Sequence, residues 1–415
     1  MKLRLSRYAC LVPLAEGDAI LWHSLSGLFT RLEPADALAL EAKAPERMSP
    51  GLIDRLAAAG VLVPEGWNED FWLAMPSPPS LERCRILTTT ACNARCDYCY
   101  EKDVPVLTMD GATAEQTARF LLSRFALAPR DSARPIRIEW FGGEPLLNVE
   151  AISRISRRIA GAGIRLRSSL VTNGLLLDER LISRAREDWG LVSVQITLDG
   201  VGAVHESVKH LPSGSYEHLI ACIRLLLASQ IRVQLRINHR SARLSEEEAL
   251  IADLGARFSP PGEGLRVYLS PAYAPGKAYP AAVMEEILRL NRHLIGLGLA
   301  RAEELYQPPR RACGCFACSP GGCTIAPDGA LYNCSHCMRP DQHVGSVWEF
   351  GDCPARDAFV PSRPPDDCIR CVLLPVCMGG CRAAALGLAP MTQCFPYQSV
   401  LPQFLKERLR KGGSP

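Results

Sequence analysis

The feature that most constrains this chain is a group of three cysteines with the spacing C-x3-C-x2-C, formed by Cys92, Cys96 and Cys99. The group follows an apolar, β-branched run that ends Leu87-Thr88-Thr89-Thr90. A short loop with this spacing can present three thiolates to one [4Fe–4S] cluster, which has four irons and usually takes cysteine ligands. Three local ligands leave one iron open, and an open iron is a site for chemistry. A zinc knuckle is the simpler alternative, but zinc sites usually combine two C-x2-C pairs or Cys/His sets.

Size and charge narrow the class of protein. The 415 residues carry a net charge of +3 and are 47% hydrophobic, which predicts two or three globular domains with sizeable cores. So small a charge, without a basic tract, gives no indication of nucleic-acid binding. The N-terminal segment contains charges such as Lys2, Arg4 and Asp18 and lacks the apolar core of a signal peptide. No apolar run reaches the ~18 residues of a membrane span. We therefore expect a cytoplasmic protein with no membrane partner.

The cysteines are unevenly distributed. The chain has 18 of them, and twelve lie between Cys313 and Cys394. In a long chain without an export signal, clustered cysteines indicate metal binding rather than disulfides. Cys84 and Cys222 stand apart from both groups and are expected in the core. The sequence therefore predicts metal chemistry at two locations, the opening motif and the C-terminal region.

Residues 1–78 are predicted to form a small domain of their own. A strand pair surrounds the turn Glu16-Gly17-Asp18, and helices are expected to begin near Pro34 and Pro50. This size and order are typical of a winged-helix-like α+β module. The proline-rich segment 74–80 is predicted to be a linker. The alternative is an extension that packs on the main domain without a separate role.

From Arg83 onward, strands and helices alternate. About five α/β repeats and a sixth strand predict a parallel sheet with helices outside. The length of this region is short for a closed eight-stranded barrel, so we predict an α/β fold with a partial (β/α)6 TIM-like barrel in residues 79–300. A cysteine-rich iron–sulfur domain is expected in residues 301–400, with a C-terminal tail in 401–415. The predicted strands are Cys84–Thr89, Ile136–Trp140, Ile164–Val171, Val192–Leu198, Val233–Asn238 and Leu265–Leu269.

Short polar motifs stand at the ends of these strands. Gly142-Gly143-Glu144 follows the second strand, Thr172-Asn173-Gly174 follows the third, and the fourth and fifth end at Thr197-Leu198-Asp199-Gly200 and at Asn238. In barrels of parallel strands, chemistry takes place at the carboxyl ends of the strands. Each motif alone is weak evidence, since a Gly-Gly or Asn-Gly pair is usually just a turn. Their shared rim predicts a site for a polar molecule with an amine, a carboxylate and a ribose.

The order of these motifs resembles the radical S-adenosylmethionine (SAM) enzymes over about residues 82–275. The resemblance implies that Cys92, Cys96 and Cys99 hold the cluster, whose open iron is chelated by the amino and carboxylate groups of SAM. The SAM contacts it implies are Gly142, Gly143 and Glu144 at the ammonium, Thr197 and Asn238 at the ribose or carboxylate, and Tyr98 near the adenine. Lys209 departs from the pattern, because this branch of the family often has arginine there.

The C-terminal cysteines follow the spacing C-x2-C-x5-C-x3-C from Cys368 to Cys381, with a Gly-x4-Cys motif upstream. This resembles the SPASM domain of peptide-modifying radical SAM enzymes, which usually holds two auxiliary [4Fe–4S] clusters. The resemblance assigns Cys368, Cys371, Cys377 and Cys394 to an outer cluster. It assigns Cys318, Cys334 and Cys381 to an inner cluster, with a fourth ligand from Cys313 or Cys315. Cys323, Cys337 and Cys353 exceed the pattern.

The two resemblances together imply an enzyme with three [4Fe–4S] clusters that cleaves SAM and cross-links a precursor peptide by oxidation. Residues 1–78 weakly resemble domains that bind a leader peptide by adding a strand to a sheet. A flavodoxin- or ferredoxin-type protein is the expected electron donor. One alternative is an anaerobic sulfatase maturase, although Ser335 stands where those enzymes carry an aspartate. The other is a non-catalytic electron carrier, which has no need of Gly142-Gly143-Glu144.

Overall fold

The computed structural model describes residues 2–69, 83–102, 104–126, 135–258, 263–272, 274–306, 315–318, 322–349 and 364–410. The strands are β1 (Leu3–Leu5), β2 (Ala9–Pro13), β3 (Ala19–His23), β4 (Phe29–Leu32), β5 (Leu62–Pro64), β6 (Cys84–Thr89), β7 (Ile136–Gly142), β8 (Leu166–Thr172), β9 (Leu191–Leu198), β10 (Arg232–His239), β11 (Leu265–Pro271), β12 (Cys323–Ile325) and β13 (Leu331–Tyr332). The predicted linker 74–80 lies outside the described residues.

The helices lie mainly between the strands of the barrel. They are α1 (Pro34–Glu41), α2 (Pro50–Ala58), α3 (Gly111–Ala126), α4 (Val149–Gly161), α5 (Glu179–Asp188), α6 (Ala203–Lys209), α7 (Ser215–Ala228), α8 (Leu244–Phe258), α9 (Ala281–Gly296), α10 (Ala302–Leu305), α11 (Asp366–Ile369), α12 (Leu374–Cys377), α13 (Arg382–Ala385) and α14 (Leu401–Arg410). Helix α4 illustrates how the sequence determines them. Asn148 accepts a hydrogen bond from the first turn, and Ile152, Ile155 and Ile159 are buried on one face.

The central sheet confirms the predicted fold class. Among the described residues it has eight strands in the order β11-β10-β9-β8-β7-β6-β12-β13. Strands β6 to β11 are all parallel and stand in chain order, with helices between them. A parallel sheet with sequential strands and covering helices is the architecture of a partial TIM-like barrel. The boundaries of the six predicted strands agree with β6–β11 to within two residues.

The C-terminal cysteine region extends this sheet. Strand β12 pairs in parallel with β6, the first strand of the barrel, and Cys323 lies directly beside Cys84. Their thiol sulfurs are 3.4 Å apart and both residues are buried. The pairing joins residues 239 positions apart in the chain. The cysteine-rich region is therefore attached to the barrel edge through backbone pairing.

The N-terminal sheet has the order β2-β3-β4, and its central strand β3 is buried on both faces. Strand β3 alternates between two cores, as expected for side chains that point to opposite faces. Ala19 and Leu21 pack with helices α1 and α2. Ile20 and Trp22 belong instead to the main core, which also contains Leu373 and Phe404. The N-terminal region is thus packed firmly against the C-terminal region, while the predicted domain boundary itself stays a prediction.

Helix α14 closes the fold in the segment predicted to be a tail. Its Phe404 and Leu405 are buried in the main core. The guanidinium of Arg408 lies 4.2 Å from the centre of the Phe29 ring in β4. Nearby, the Ser24 hydroxyl donates a hydrogen bond to the carbonyl of Val372. The N-terminal and C-terminal regions therefore contact each other close to the cysteines assigned to the outer cluster. In the part of the chain that the structure describes, no helix is long and apolar enough to cross a membrane.

Candidate functional site

A cavity of about 330 Å³ opens at the carboxyl ends of strands β6 to β10. It gathers most of the residues that the sequence predicted for the site, although they come from four different strand ends. The predicted residues in its wall are Cys92, Cys96, Tyr98, Cys99, Gly142, Gly143, Thr197 and Asn238. Glu144 is absent from the wall. The structure thus brings the three-cysteine loop and the polar rim together around one space.

The three-cysteine loop is held against the end of helix α6. The Arg95 amide donates to the Lys209 carbonyl at 2.9 Å, and the Asp97 amide donates to the Val208 carbonyl at 3.2 Å. Within the loop, the Cys99 amide donates to the Cys96 carbonyl at 3.1 Å. These backbone bonds fix the loop without using its thiols, which remain available to a ligand.

The thiols of this loop fit a metal cluster. All three are half-buried, and burial raises the pKa of each one above its usual value. Free thiols in this position are therefore protonated at neutral pH. Binding to a metal centre releases the protons and supplies the positive charge that three neighbouring thiolates need. Three such sulfurs in one cavity wall form a donor set that matches a [4Fe–4S] cluster with one open iron.

The Gly142-Gly143 turn is packed against the backbone of the three-cysteine loop. A Cβ atom on Gly142 would lie 2.1 Å from the Thr89 carbonyl oxygen, and this residue also has a positive φ of 131°. A Cβ on Gly143 would lie 2.4 Å from the Ala91 carbonyl oxygen. The Gly143 amide donates to Thr89 at 3.1 Å, and the Glu144 amide donates to Ala91 at 2.8 Å. Both glycines are therefore needed to dock the turn on the loop.

Glu144 is fully buried and both of its carboxylate oxygens accept hydrogen bonds. Oε1 accepts from the Thr172 hydroxyl at 2.7 Å and from the Leu146 amide at 3.1 Å, and Oε2 accepts from the Asn173 amide at 2.8 Å. Burial raises the pKa of this carboxyl group, and the hydrogen bonds oppose that effect. The side chain thus ties the Gly-Gly turn to the end of β8. Its predicted contact with the SAM ammonium stays a prediction.

Tyr98 stands in a small network with Asp199 and Lys209. Its hydroxyl donates to Asp199 Oδ2 at 2.7 Å, and the Lys209 ammonium lies 3.7 Å from the same oxygen. Burial, together with the neighbouring Asp199 carboxylate, raises the pKa of the Tyr98 phenol, which therefore stays neutral. The Arg240 guanidinium lies 4.9 Å from the centre of the Tyr98 ring. Lys209, which departs from the family pattern, thus balances a buried carboxylate in the cavity wall.

Several charged residues of the cavity wall were not found from the sequence. Arg85 donates to both oxygens of Glu139 at 3.1 and 3.0 Å, and Glu101 has its pKa raised to about 7 by burial. Arg240 also lines the wall. Arg85 and Glu139 stand within otherwise apolar strands, in Cys84-Arg85-Ile86 and Ile138-Glu139-Trp140. A charged residue inside a buried strand is unusual, so this pattern was the signal that sequence reasoning missed.

The C-terminal cysteine region forms one side of the cavity. Its His336 lies in the wall and stacks on Tyr100, with ring centres 4.1 Å apart. Arg85 also donates to the Ser335 hydroxyl at 2.5 Å. Ser335 occupies the position at which sulfatase maturases carry an aspartate, and here its hydroxyl is engaged by an arginine. His336 thus faces the space that the three-cysteine loop also lines.

The remaining cysteines fall into two groups. Cys368 and Cys371 form a turn in which the Cys371 amide donates to the Cys368 carbonyl at 2.9 Å. The Cys394 amide donates to the Lys277 carbonyl. In the other group, a hydrogen bond from the Cys337 thiol lowers the pKa of Cys334 below its usual value. Cys313 and Cys353 lie outside the described residues. Among the described residues, no three His, Cys, Asp or Glu side chains are arranged to hold a single metal ion.

His239, at the end of β10, connects the barrel to two helices. Its Nδ1 lies 2.6 Å from a Glu247 oxygen of α8, and its Nε2 lies 3.0 Å from a Glu286 oxygen of α9. The side chain of His239 is fully buried. Burial alone lowers its pKa, but the two carboxylates outweigh burial and raise the pKa above the usual value. This clamp fixes the strand end that carries Asn238 and Arg240 into the cavity.

The clamp predicts a loss of stability at alkaline pH. Because the pKa of His239 is raised in the folded state, its stabilising effect is complete below the unfolded value of ~6.5. That effect is lost as the pH rises through the folded pKa. The urea midpoint should therefore fall as the pH rises above about 6.5, and His239→Gln should remove this part of the pH dependence. An unchanged slope in the variant would contradict the prediction.

Sequence comparisons identify the barrel. Residues 86–239 match the model of the radical SAM superfamily, whose members bind SAM and a [4Fe–4S] cluster. A serine-type anaerobic sulfatase-maturating enzyme of Klebsiella aerogenes is 25% identical over 337 residues, covering 71% of this chain and 77% of that protein. A GTP 3',8-cyclase of Chlorobaculum tepidum is 32% identical over 122 residues, covering 29% of this chain and 33% of that protein.

Solved structures share the fold at low sequence identity. Streptococcus suis SuiB bound to precursor peptide SuiA has a TM-score of 0.54 and 13% identity, with 94% of this chain and 98% of that chain covered. Native anSMEcpe with bound AdoMet and Cp18Cys peptide has a TM-score of 0.58 and 15% identity, with 79% and 97% covered. The likeness to SuiB therefore extends over nearly the whole chain.

Proposed function

We propose that this chain, a radical SAM enzyme by its match over residues 86–239, oxidises a ribosomally made precursor peptide to form a thioether, C–C or C–O cross-link. The observation that carries the proposal is the composition of the cavity wall. Cysteines of the first loop, the Gly-Gly turn and His336 of the C-terminal cysteine region all line the same space. A cavity bounded by both cysteine regions suits a radical reaction whose product must then lose an electron.

Cys92, Cys96 and Cys99 hold the cluster that acts on SAM in this proposal. When bound, the reduced cluster supplies one electron that cleaves SAM to methionine and a 5′-deoxyadenosyl radical, which removes a hydrogen atom from the peptide. The chain itself positions and encloses the reactants. Thr197 and Asn238 line the cavity, and the neutral phenol of Tyr98 provides a surface for the adenosine.

Two auxiliary [4Fe–4S] clusters are part of the proposal. The outer one uses Cys368, Cys371, Cys377 and Cys394, which are all half-buried. The inner one uses Cys318, Cys334 and Cys381, with Cys313 or Cys315 as the fourth ligand from the family pattern. Cys318, Cys334 and Cys381 pack on one small cluster of alanines and a further cysteine, which supports a common site. A flavodoxin- or ferredoxin-type donor supplies the reducing electron.

The N-terminal region is proposed to bind the leader part of the peptide. Within the described residues, the order β2-β3-β4 leaves β2 and β4 each with one strand edge unpaired. An unpaired edge can accept a peptide as an additional strand. SuiB, whose structure is known with precursor peptide SuiA, resembles the fold of this chain over 94% of its length. That likeness supports a peptide substrate for this chain.

Formylglycine formation is the second candidate, because the Klebsiella aerogenes sulfatase-maturating enzyme is 25% identical over 71% of this chain. Two features favour the cross-link. Ser335 has no carboxylate, whereas sulfatase maturases carry an aspartate, the proposed base, at this position. The Ser335 hydroxyl accepts a hydrogen bond from Arg85. The fold likeness to anSMEcpe covers 79% of this chain, compared with 94% for SuiB. The larger coverage leaves less of the chain unmatched.

Anaerobic incubation with SAM, dithionite and the peptide encoded by a neighbouring short reading frame tests the proposal. We expect 5′-deoxyadenosine and a peptide that has lost two hydrogens, as measured by mass spectrometry. Formylglycine from serine has the same mass change, so the product is also treated with a hydrazine. A cross-linked peptide should not react, whereas an aldehyde should.

Cys96→Ala is the matched control, because it removes one cluster ligand and should form neither product. Formation of a hydrazone on the peptide would contradict the cross-link and indicate formylglycine formation instead. Absence of 5′-deoxyadenosine from the reconstituted wild-type protein would exclude the enzymatic proposal and leave an electron carrier.

A further inference from the structure

All C-x2-C pairs in the described residues adopt the same turn. In each pair the amide of the second cysteine donates to the carbonyl of the first, which brings the two residues together as in a β-turn. The donor–acceptor distances are 3.1 Å for Cys96/Cys99, 2.9 Å for Cys315/Cys318, 3.0 Å for Cys334/Cys337 and 2.9 Å for Cys368/Cys371. The first and last of these pairs are proposed cluster ligands. Cys334/Cys337 has the same geometry, although Cys337 exceeds the family pattern.

The surroundings of Cys337 consist largely of other cysteines. It is 3% exposed and packs with Ala317, Ala383 and Ala389. The partly buried residues on this small cluster include Cys315, Cys318, Cys334 and Cys381. The thiol of Cys337 also forms a hydrogen bond with Cys334. Cys337 thus belongs to the same small cluster as every described cysteine that is proposed for the inner iron–sulfur cluster, and it contacts Cys334 directly.

Other buried cysteines of this chain have different surroundings. Cys222, in helix α7, donates its thiol to the Leu177 carbonyl at 3.2 Å and lies near His218. Cys84 lies beside a single cysteine, Cys323, in the sheet. These contacts are typical of a cysteine that serves as a small core residue. The several thiols around Cys337 are typical of a ligand.

We propose that Cys337 is the fourth ligand of the inner auxiliary cluster, together with Cys318, Cys334 and Cys381. Cys315 belongs to the same group, but unlike Cys337 it is not fully buried within it. The inference rests on the inner cluster of the proposed function and replaces Cys313 or Cys315 by Cys337 as its fourth ligand. With Cys337 in place, every iron of the inner cluster has a cysteine ligand and none is open for a substrate thiolate.

The location suits an electron acceptor. His336 stands between Cys334 and Cys337 in the chain and lies in the cavity wall, where it stacks on Tyr100 next to Cys99. The inner cysteines therefore approach the cavity through a single residue. A cluster with four cysteine ligands beside the cavity takes up an electron without binding the peptide.

Metal analysis of the full-length reconstituted protein tests the inference without an activity assay. Iron, acid-labile sulfide and zinc per chain are measured for wild type, Cys337→Ala, Cys315→Ala and Cys222→Ala, with electron paramagnetic resonance of the reduced samples. We expect Cys337→Ala to lose about a third of the iron and one cluster signal, since about four of about twelve irons belong to each cluster. Cys315→Ala and Cys222→Ala should retain the wild-type iron content and all of the cluster signals.

Cys337→Ser separates ligation from folding, because a serine keeps the size of the side chain. It should fold as wild type by circular dichroism and still show an altered inner-cluster signal. Wild-type iron and spectra in both Cys337 variants would overturn the inference, as would loss of the cluster in Cys315→Ala alone. One zinc per chain that disappears in Cys337→Ala would overturn the cluster assignment. Failure to modify a peptide would contradict the proposed function only.

Discussion

Gly143→Ala should abolish SAM cleavage, with 5′-deoxyadenosine formation reduced by ~100-fold or more. The added Cβ would lie 2.4 Å from the Ala91 carbonyl oxygen and 2.5 Å from that of Thr90. These are backbone atoms at the start of the three-cysteine loop, so the contact can be relieved only by moving the loop or the turn. Either movement displaces the cluster ligands relative to the SAM rim. The measurement is 5′-deoxyadenosine formed from SAM and dithionite in the absence of peptide.

Gly161→Ala is the matched control for this substitution. Gly161 is the last residue of helix α4, and a Cβ there would meet nothing within 4 Å. That variant should cleave SAM at the wild-type rate. Gly143→Ala should still bind iron at the C-terminal cysteines, which lie outside the turn. A Gly143→Ala protein with wild-type cleavage would mean that the close packing of turn and loop is not needed for the reaction.

The position of the site was predictable because it depends on local order along the chain. Each rim motif directly follows a strand, so a parallel sheet brings Thr197 and Asn238 to the same edge as the three-cysteine loop. The role of Gly142 and Gly143 was harder to predict from the sequence. The sequence suggested that Gly142 and Gly143 allow close approach of a ligand, whereas the structure shows close approach of the chain's own backbone. That difference depends on a contact between strand ends about 50 residues apart.

Contacts between distant segments could not be predicted. The pairing of β12 with β6 depends on three residues, Cys323–Ile325, which are too few to show a period-two pattern. Arg85 reaches Ser335 across 250 residues. Helix α14 was missed because its apolar face is recognised only once the main core is known. In each case the tertiary partner, and not the local sequence, determines the structure.

The packing of the N-terminal sheet changes how the leader-binding proposal can be tested. Deletion of residues 1–78 would be the most direct test if they formed a separate leader-binding domain. In the structure, Val12, Ile20 and Trp22 of that region are part of the main core. Deletion would expose this apolar surface on the C-terminal region, so a loss of peptide binding would not be specific. Point substitutions on the unpaired edge of β2 or β4 are the better test.

Trp22→Ala should destabilise the whole protein by ~3–5 kcal/mol, the usual effect of removing a large buried aromatic side chain. Trp22 is 1% exposed and belongs to the main core, together with Leu373 and Phe404 of the C-terminal region. Since both ends of the chain contribute side chains to this core, we expect one cooperative unfolding transition at a lower urea concentration. The measurement is urea unfolding of the reconstituted protein, followed by circular dichroism.

Trp67→Ala provides the comparison within the same N-terminal region. Trp67 is 53% exposed, so its removal should change the free energy of unfolding by no more than about 0.5 kcal/mol. If residues 1–78 folded as an independent module, Trp22→Ala would produce a separate early transition and leave the main one unchanged. A single shifted transition, in contrast, would mean that the N-terminal sheet and the auxiliary cysteine region unfold together. Leader binding at β2 or β4 would then act directly on the part of the enzyme that encloses the cavity.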